Sequence, residues 1–436
     1  MTTPIRDFVL NYAAARPARL HMPGHKGRGP LGCEAFDITE VRGADALYEA
    51  EGIILESERN AAALFGAGRT LYSTEGSSQC IRAMLHLTKM HGGGRRACLA
   101  GRNAHKAFLF AAALCDFDVE WLMPEGESGS VCACPVSPEG LARALDAMDA
   151  PPFCVYLTSP DYLGGELDIA ALSQICRARN VPLLVDNAHG AYLRFLESSR
   201  HPMQLGADMC CDSAHKTLPV LTGGAYLHIS PRANPGFAAD AKRAMALFGS
   251  TSPSYLILQS LDMANAALAG DFPAALRESC ARVDELKRAL ASRGHTVLPS
   301  EPAKLSLLTD GMRAAAELRA AGVECEFADA RHLVLMFSPG NAPEDCAKLL
   351  RALPEAFAPP PAAPLPPAPE RAMRIRDAVF APCESLPVRK AVGRICAAPT
   401  VSCPPAVPIA LSGERITTEV ARALEANGLT EIAVVR

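Results

Sequence analysis

No apolar run in this sequence approaches the length of a membrane-spanning helix. The longest, residues 107–115, is closed in by Lys106 and Asp116, so no transmembrane helix is expected. The one apolar stretch at the N-terminus is interrupted by Asp7, which speaks against a secretory leader and for a cytoplasmic protein. Nor is there a block of Lys and Arg: 43 basic residues stand against 47 acidic ones, a formal charge of −4. Neither nucleic acid nor an anionic membrane is therefore an expected partner. The 16 cysteines include no C-x-x-C pair. Cys132/Cys134 and Cys210/Cys211 are spaced wrongly for a zinc knuckle or a thioredoxin-like centre. A chain of 436 residues also buries enough core to need no disulfide framework. His21 and His25 have the i,i+4 spacing of a zinc pair, but Pro23-Gly24 between them breaks the helix this spacing requires. No metal is expected.

What is there is globular: 49% of the residues are hydrophobic and 21% charged, which excludes wholesale disorder and at this length implies two or three domains. The stretch His21-Met-Pro-Gly-His-Lys-Gly-Arg28 reads as an irregular loop. From Glu51 the pattern is helical, with Ile54, Ser57, Ala61, Leu64 and Phe65 near one face. Strands are expected at 97–100, 119–122, 153–157, 183–185 and 224–228. Strands separated by helices imply crossovers and a largely parallel sheet buried on both faces. Further on, Leu276, Cys280, Val283, Leu286 and Leu290 share a helical face stopped by Gly294. Strands at 304–308 and 332–337 flank a helix near 313–319. Seven of the twelve residues 358–369 are proline, which marks a semi-rigid linker. The implied division is an N-terminal arm (1–45), a large domain (46–268), a small α/β domain (269–357), the linker (358–370) and a C-terminal module (371–436).

Four places carry chemistry. Asp208-Met-Cys-Cys-Asp-Ser-Ala-His-Lys216-Thr-Leu-Pro sets a lysine between small polar residues and a Leu-Pro step; a partly desolvated lysine loses its proton readily and can form a Schiff base, although a salt-bridged structural lysine fits as well. In Val181-Pro-Leu-Leu-Val-Asp186-Asn-Ala-His189 an apolar strand ends in a carboxylate at the edge where parallel sheets keep ligands; it reads either as the partner of a pyridine nitrogen or as a helix cap. In Leu71-Tyr-Ser-Thr-Glu-Gly76-Ser77-Ser78-Gln79 a strand feeds a hydroxyl-rich turn at a helix N-terminus, either a phosphate cradle or simple capping. That turn has neither the P-loop nor the dinucleotide-fold pattern. In Gly101-Arg-Asn-Ala-His105-Lys106 an imidazole at a strand edge suits stacking on a flat ring, proton transfer or a local hydrogen bond. Together they make the parts list for pyridoxal phosphate.

At these positions the sequence resembles the Orn/Lys/Arg decarboxylase family, compact bacterial branch. The resemblance rests on Ser213-Ala-His-Lys216-Thr-Leu-Pro, Asp186-Asn-Ala-His189, Arg102-Asn-Ala-His-Lys106, Leu20-His-Met-Pro-Gly-His-Lys-Gly27 and Ser250-Thr-Ser-Pro-Ser-Tyr255. It implies an α/β, fold type I, transferase-like architecture: a large domain with a mostly parallel sheet, and smaller α/β C-terminal domains. It implies decarboxylation of lysine, arginine or ornithine to the amine and CO2, in polyamine biosynthesis. Position by position, Lys216 is the lysine that carries pyridoxal phosphate and Asp186 the partner of its ring nitrogen. His105 is the stacking ring and His189 a histidine next to the cofactor; these four are the expected catalytic residues. Gly76, Ser77, Ser78, Ser213, His215 and Ala188 are expected around phosphate and lysine. In a homodimer or higher assembly, Ser252 would approach the partner copy's phosphate.

The departures fall where substrates would be read. Asn187 stands for the family's Glu and Tyr48 for its His, while Ala398, Cys403 and Ala406 replace Glu, Tyr and Gly of the C-terminal pattern. Three other readings stay open: another fold type I activity such as an aminotransferase, a catalytically silent relative that binds a ligand, and a metal hydrolase using His105, His189 and His215.

Overall fold

In the computed structural model the short apolar runs become strands; it describes residues 1–126, 130–361, 367, 369–398 and 407–436. In chain order the strands are β1 (Arg69–Ser73), β2 (Ala97–Gly101), β3 (Asp118–Leu122), β4 (Cys154–Thr158), β5 (Leu183–Asp186), β6 (Met209–Asp212) and β7 (Ala225–Ile229). They continue as β8 (Thr296–Leu298), β9 (Lys304–Leu308), β10 (Phe327–Ala328), β11 (His332–Met336), β12 (Cys383–Pro387) and β13 (Glu431–Val435). The chain divides into two compact units, Met1–Gly94 with Cys176–Ala274, and Arg95–Ile175 with Ala275–Arg436. Cys403, Ala406 and part of the proline-rich stretch lie outside the described residues.

In the first unit β5 and β6 run parallel, with Asp186 opposite Cys211, and β7 returns antiparallel to β6, with Tyr226 opposite Asp212. β1 closes this part antiparallel to β7. Every residue of β5, β6 and β7 is buried, as expected of strands covered on both faces. β6 is absent from the sequence reading because only Met-Cys-Cys separates its two flanking aspartates.

Helix Ile53–Phe65 buries Ile54, Ser57, Ala61 and Phe65, while Leu64 is only half-buried and Glu58 takes the inward place. Asp45 holds the start of this helix by accepting from the N–H groups of Gly52 (2.8 Å) and Ile54 (3.0 Å). An unanticipated helix, Pro4–Ala14, is seated on Asp262, whose Oδ2 accepts from the N–H groups of Ile5 and Arg6, both at 3.0 Å. The Ser57 hydroxyl donates to the other oxygen of Asp262 at 2.5 Å, and Asn265 donates to the Tyr72 hydroxyl at 2.7 Å. Burial pushes the Asp262 carboxyl up to about 6 in spite of these donors.

In the second unit β4, β2 and β3 are parallel neighbours. The apolar run after β2 is the helix Lys106–Cys115, with Ala107, Phe108, Leu109 and Ala111–Ala113 all buried. β10, β11, β9 and β8 form a separate antiparallel sheet, whose Leu305, Leu307, Leu333 and Leu335 pack with Val283, Leu286 and Leu290. Cys280 is not on that stripe. Ser279 is buried in its place, because at 3.6 residues per turn Leu276, Val283, Leu286 and Leu290 together centre the face nearer position 279 than position 280. β12 and β13 form a terminal antiparallel pair. Nearby, Arg102 pairs with Glu414 at 3.0 Å and lies over the Trp121 ring at 5.6 Å, and Arg374 bonds Asp116 at 2.7 Å and Asp118 at 3.1 Å. Among the described residues no helix is long and apolar enough to cross a membrane.

Candidate active site

Because β5 and β6 are parallel, their carboxyl ends deliver their next residues to one edge of the first unit. Asp186, the last residue of β5, is 2% exposed; its Oδ1 accepts from the Ala188 N–H at 3.2 Å and from the Cys211 thiol at 3.6 Å. β6 ends at Asp212 and leads through Ser213 into the single turn Ala214–Thr217. From that turn the half-buried Lys216 brings Nζ to 3.0 Å from Nε2 of His189, which is itself buried. His215 faces away from this contact: its N–H and Nδ1 both meet the Gly224 carbonyl, at 3.1 and 3.0 Å. Burial pushes its pKa below the usual range, so it is a neutral anchor of the lysine turn.

The Ser/Gly turn after β1 sits at the N-terminus of a 14-residue helix, Ser77–Met90. Gly76 adopts φ 72°, where a side chain is strained, and a Cβ there would meet none of the described residues within 4 Å. The space before the first turn is open, and a helix start with no side-chain cap presents N–H groups and the positive dipole end to it. Ser213 donates from Oγ to Ser77 Oγ at 2.8 Å, so the cradle and the lysine turn share a hydrogen bond. Gln79, one turn in, fixes the loops beyond: it donates to the Tyr48 hydroxyl and to the Met245 carbonyl, each at 2.8 Å, and accepts from Ser73 at 2.6 Å. Tyr48 lies so close to Gly249 that any side chain at 249 would overlap its hydroxyl, and burial raises its phenol pKa. The Ser250 N–H donates to Glu75, and Ser252, two residues on, is exposed.

Asp186, Ala188, His189, Ser213, His215 and Lys216 thus come from one strand edge, with Gly76, Ser77 and Ser78 on the cradle that Ser213 joins to it. His105 belongs to the second unit, where it caps the helix Lys106–Cys115, its Nδ1 accepting from the Ala107 N–H at 3.1 Å. His21 and His25 lie outside helices, partnered by Tyr12 (2.8 Å) and Asp37 (3.2 Å) respectively. The sequence reading passed over Gln79, Asp212, His201 and His228. The last three form one buried cluster with Asn187: Asp212 accepts from His201 Nε2 at 2.9 Å, His228 Nε2 at 3.1 Å and Asn187 Nδ2 at 2.6 Å. His201, Cys210 and Asp212 are close enough to share a metal ion, but these hydrogen bonds already engage the imidazole nitrogens and the carboxylate.

The residues present suit pyridoxal phosphate: an open anion cradle with hydroxyl and N–H donors, a buried carboxylate for a protonated ring nitrogen, and an amine for an aldehyde. The pattern of the Orn/Lys/Arg decarboxylase major domain matches residues 3–308. The chain is 30% identical to an arginine decarboxylase of Halalkalibacterium halodurans, over 95% of this chain and 91% of that one. It is 28% identical to the arginine decarboxylase of Bacillus subtilis, over 96% and 92%. In fold it is similar to the constitutive lysine decarboxylase of E. coli, with a TM-score of 0.80 at 19% identity over 100% of this chain and 82% of that one. It is similar also to serine palmitoyltransferase of Sphingomonas wittichii, with a TM-score of 0.58 at 13% identity over 79% and 82%. The chain belongs to the Orn/Lys/Arg decarboxylase family, amino-acid decarboxylases of fold type I that work with pyridoxal phosphate.

Proposed function

We propose that this enzyme removes the α-carboxylate of a basic amino acid, arginine before lysine or ornithine, and releases the amine and CO2. The observation that carries the reading is the 3.0 Å approach of Lys216 Nζ to His189 Nε2 at the strand edge that ends in Asp186. Arginine comes first because several relatives that match nearly the whole chain are named arginine decarboxylases.

Pyridoxal phosphate, bound at Lys216, supplies the electron sink that makes loss of CO2 feasible. The rest is the work of the chain. Ser77, Ser78, Ser213 and the first-turn N–H groups hold the phosphate, with the helix dipole behind them. Asp186 holds a proton on the ring nitrogen, a role that a buried carboxylate serves only while ionised. His189 Nε2 exchanges a proton with Lys216 Nζ, so the amine can alternate between nucleophile and ammonium. In a homodimer the exposed Ser252 of one copy reaches the phosphate bound by the other. Tyr48 and Asn187, where the sequence departs from the family, lie beside the cradle and behind Asp186, and they bear on substrate choice and on positioning.

The test is incubation of the purified protein and cofactor with arginine, lysine and ornithine in turn, measuring CO2 and the amine. Agmatine from arginine in excess over the other two amines bears the proposal out. A keto acid without amine makes the protein an aminotransferase. No imine absorbance and no borohydride reduction at Lys216 makes it a silent relative.

A further inference from the structure

Asp212 lies between the two limbs of the site yet faces neither cofactor space nor solvent; it is fully buried. One oxygen accepts from two imidazoles and the other from the Asn187 amide. The His201 proton is on Nε2, because Nδ1 accepts from the Met203 N–H at 3.3 Å. On the far side of His228, Nδ1 is 2.8 Å from the Thr70 hydroxyl, and burial lowers the pKa of this imidazole. Two imidazoles therefore donate to one carboxylate, which keeps its charge. The Phe65 ring, 4.4 Å from that of His228 and 5.2 Å from that of His201, closes the cluster off from water.

Asn187 is oriented by this charge. Its Nδ2 points at Asp212 while its Oδ1 is buried with no hydrogen-bond partner among the described residues, an arrangement that costs free energy unless the other end of the amide gains more. The reverse orientation would press an amide oxygen on a carboxylate. Oδ1 instead faces Gly190, where any side chain would overlap it. Asn187 directly follows Asp186, its N–H bonds the Cys211 carbonyl at 3.0 Å, and its own carbonyl accepts from Gly190 at 2.8 Å. Its amide thus sets the turn that carries Asp186 and His189. On the other side Asp212 directly precedes Ser213, which donates to Ser77 of the cradle.

We propose that Asp212 is a positioning residue of the cofactor site, and that residues 187 and 212 together must carry a single negative charge. Through Asn187 that charge fixes the Asp186–His189 turn, and through Ser213 it fixes one wall of the phosphate cradle. The proposal rests on the reading of this edge as the cofactor site, and it predicts a reciprocal exchange. Asp212→Asn alone sets two amides face to face. Asn187→Asp alone sets two carboxylates 2.6 Å apart or closer, where both cannot stay ionised. The double variant restores one donor, one acceptor and one charge, with the amide carbonyl introduced at position 212 still available to both imidazoles.

The experiment measures the equilibrium affinity of the cofactor-free chain for pyridoxal phosphate, the pH dependence of the absorbance of the lysine-bound form, and the melting temperature of each variant. Each single variant is expected to bind about tenfold or more weakly, the loss of one hydrogen bond to a charged group, with its absorbance titration displaced. The double variant should return to within about threefold of the parent. Asn187→Ala, which cuts the connection and keeps the charge, should show the weaker binding without loss of fold, and it decides the matter if a single charge variant does not fold. Unchanged affinity and absorbance in Asn187→Ala, or a double variant no better than the sum of its singles, overturns the proposal. If the parent itself takes up no cofactor at Lys216, the reading of the site is wrong, rather than this inference from it.

Discussion

Two buried aspartates of the first unit, Asp212 and Asp262, respond to the same loss of water in opposite ways. Burial raises both, but at Asp212 the adjacent His201 and His228 outweigh it and hold the carboxyl well below its ordinary range. At Asp262 the Ser57 hydroxyl and the N–H groups of Ile5 and Arg6 do not, and the carboxyl stands at about 6. Each faces three donors, so the kind of donor decides the charge, and neither number nor depth does. The two regions differ in task as well. Asp212 backs an edge with open space in front of Gly76, whereas Asp262 closes a joint between the N-terminal helix and the helix Tyr255–Ala269.

The contrast can be broken at several points. Lys216→Ala should lower turnover by about a thousandfold or more while leaving the melting temperature nearly unchanged, because no other amine among the described residues has been placed at that edge to take its role. Steady-state rates alongside calorimetry would show it, and residual turnover near that of the parent would remove the site from this edge. Asp262→Ala should do the reverse. It abandons two backbone N–H groups and a hydroxyl in the interior, costing about 2–4 kcal/mol of stability by denaturant unfolding, with kcat largely kept.

Much of the site edge is legible in the sequence, and the joint at Asp262 is not. Asp186 and the Ser77 turn lie at ends of elements whose apolar pattern and turn chemistry can be read locally. Lys216 stands out by its small polar neighbours. Asp212 had a visible clue, its place immediately before Ser213, but its meaning comes from His201, His228 and Asn187, which only strand order brings together. The N-terminal helix, seated on a carboxylate more than 250 residues away, leaves no local trace of what holds it. Position 280 shows the limit of periodicity: a cysteine looked apolar enough to be inside, yet the helical phase favoured the serine before it.

Acid and base separate the two aspartates further. The carboxyl of Asp212 is depressed in the folded state, so its contribution is complete above about pH 4, the unfolded value, and is lost as the pH falls towards the folded one. Asp262 is raised, so the fold loses stability as the pH climbs from about 4 to about 6, where the unfolded chain ionises first, and the loss is constant above that. Asp262→Asn, compared with the parent by unfolding at pH 4.5 and 7.5, should therefore gain about 2 kcal/mol in relative stability at the higher pH. A flat difference would mean that Asp262 is ionised throughout. The smallest effect is expected at the cradle. Ser77→Ala should weaken cofactor binding about three- to tenfold, read by equilibrium titration, since N–H donors and the helix dipole remain.

Trp121 is the one indole in the chain, and the guanidinium above it is the same one that grips Glu414. Its emission is therefore a built-in optical gauge for the C-terminal segment. If the residues around Glu414 come away from β3, the cation–π partner shifts, water reaches the ring and the spectrum moves to the red. The seating of that segment can be followed in solution without attaching a dye.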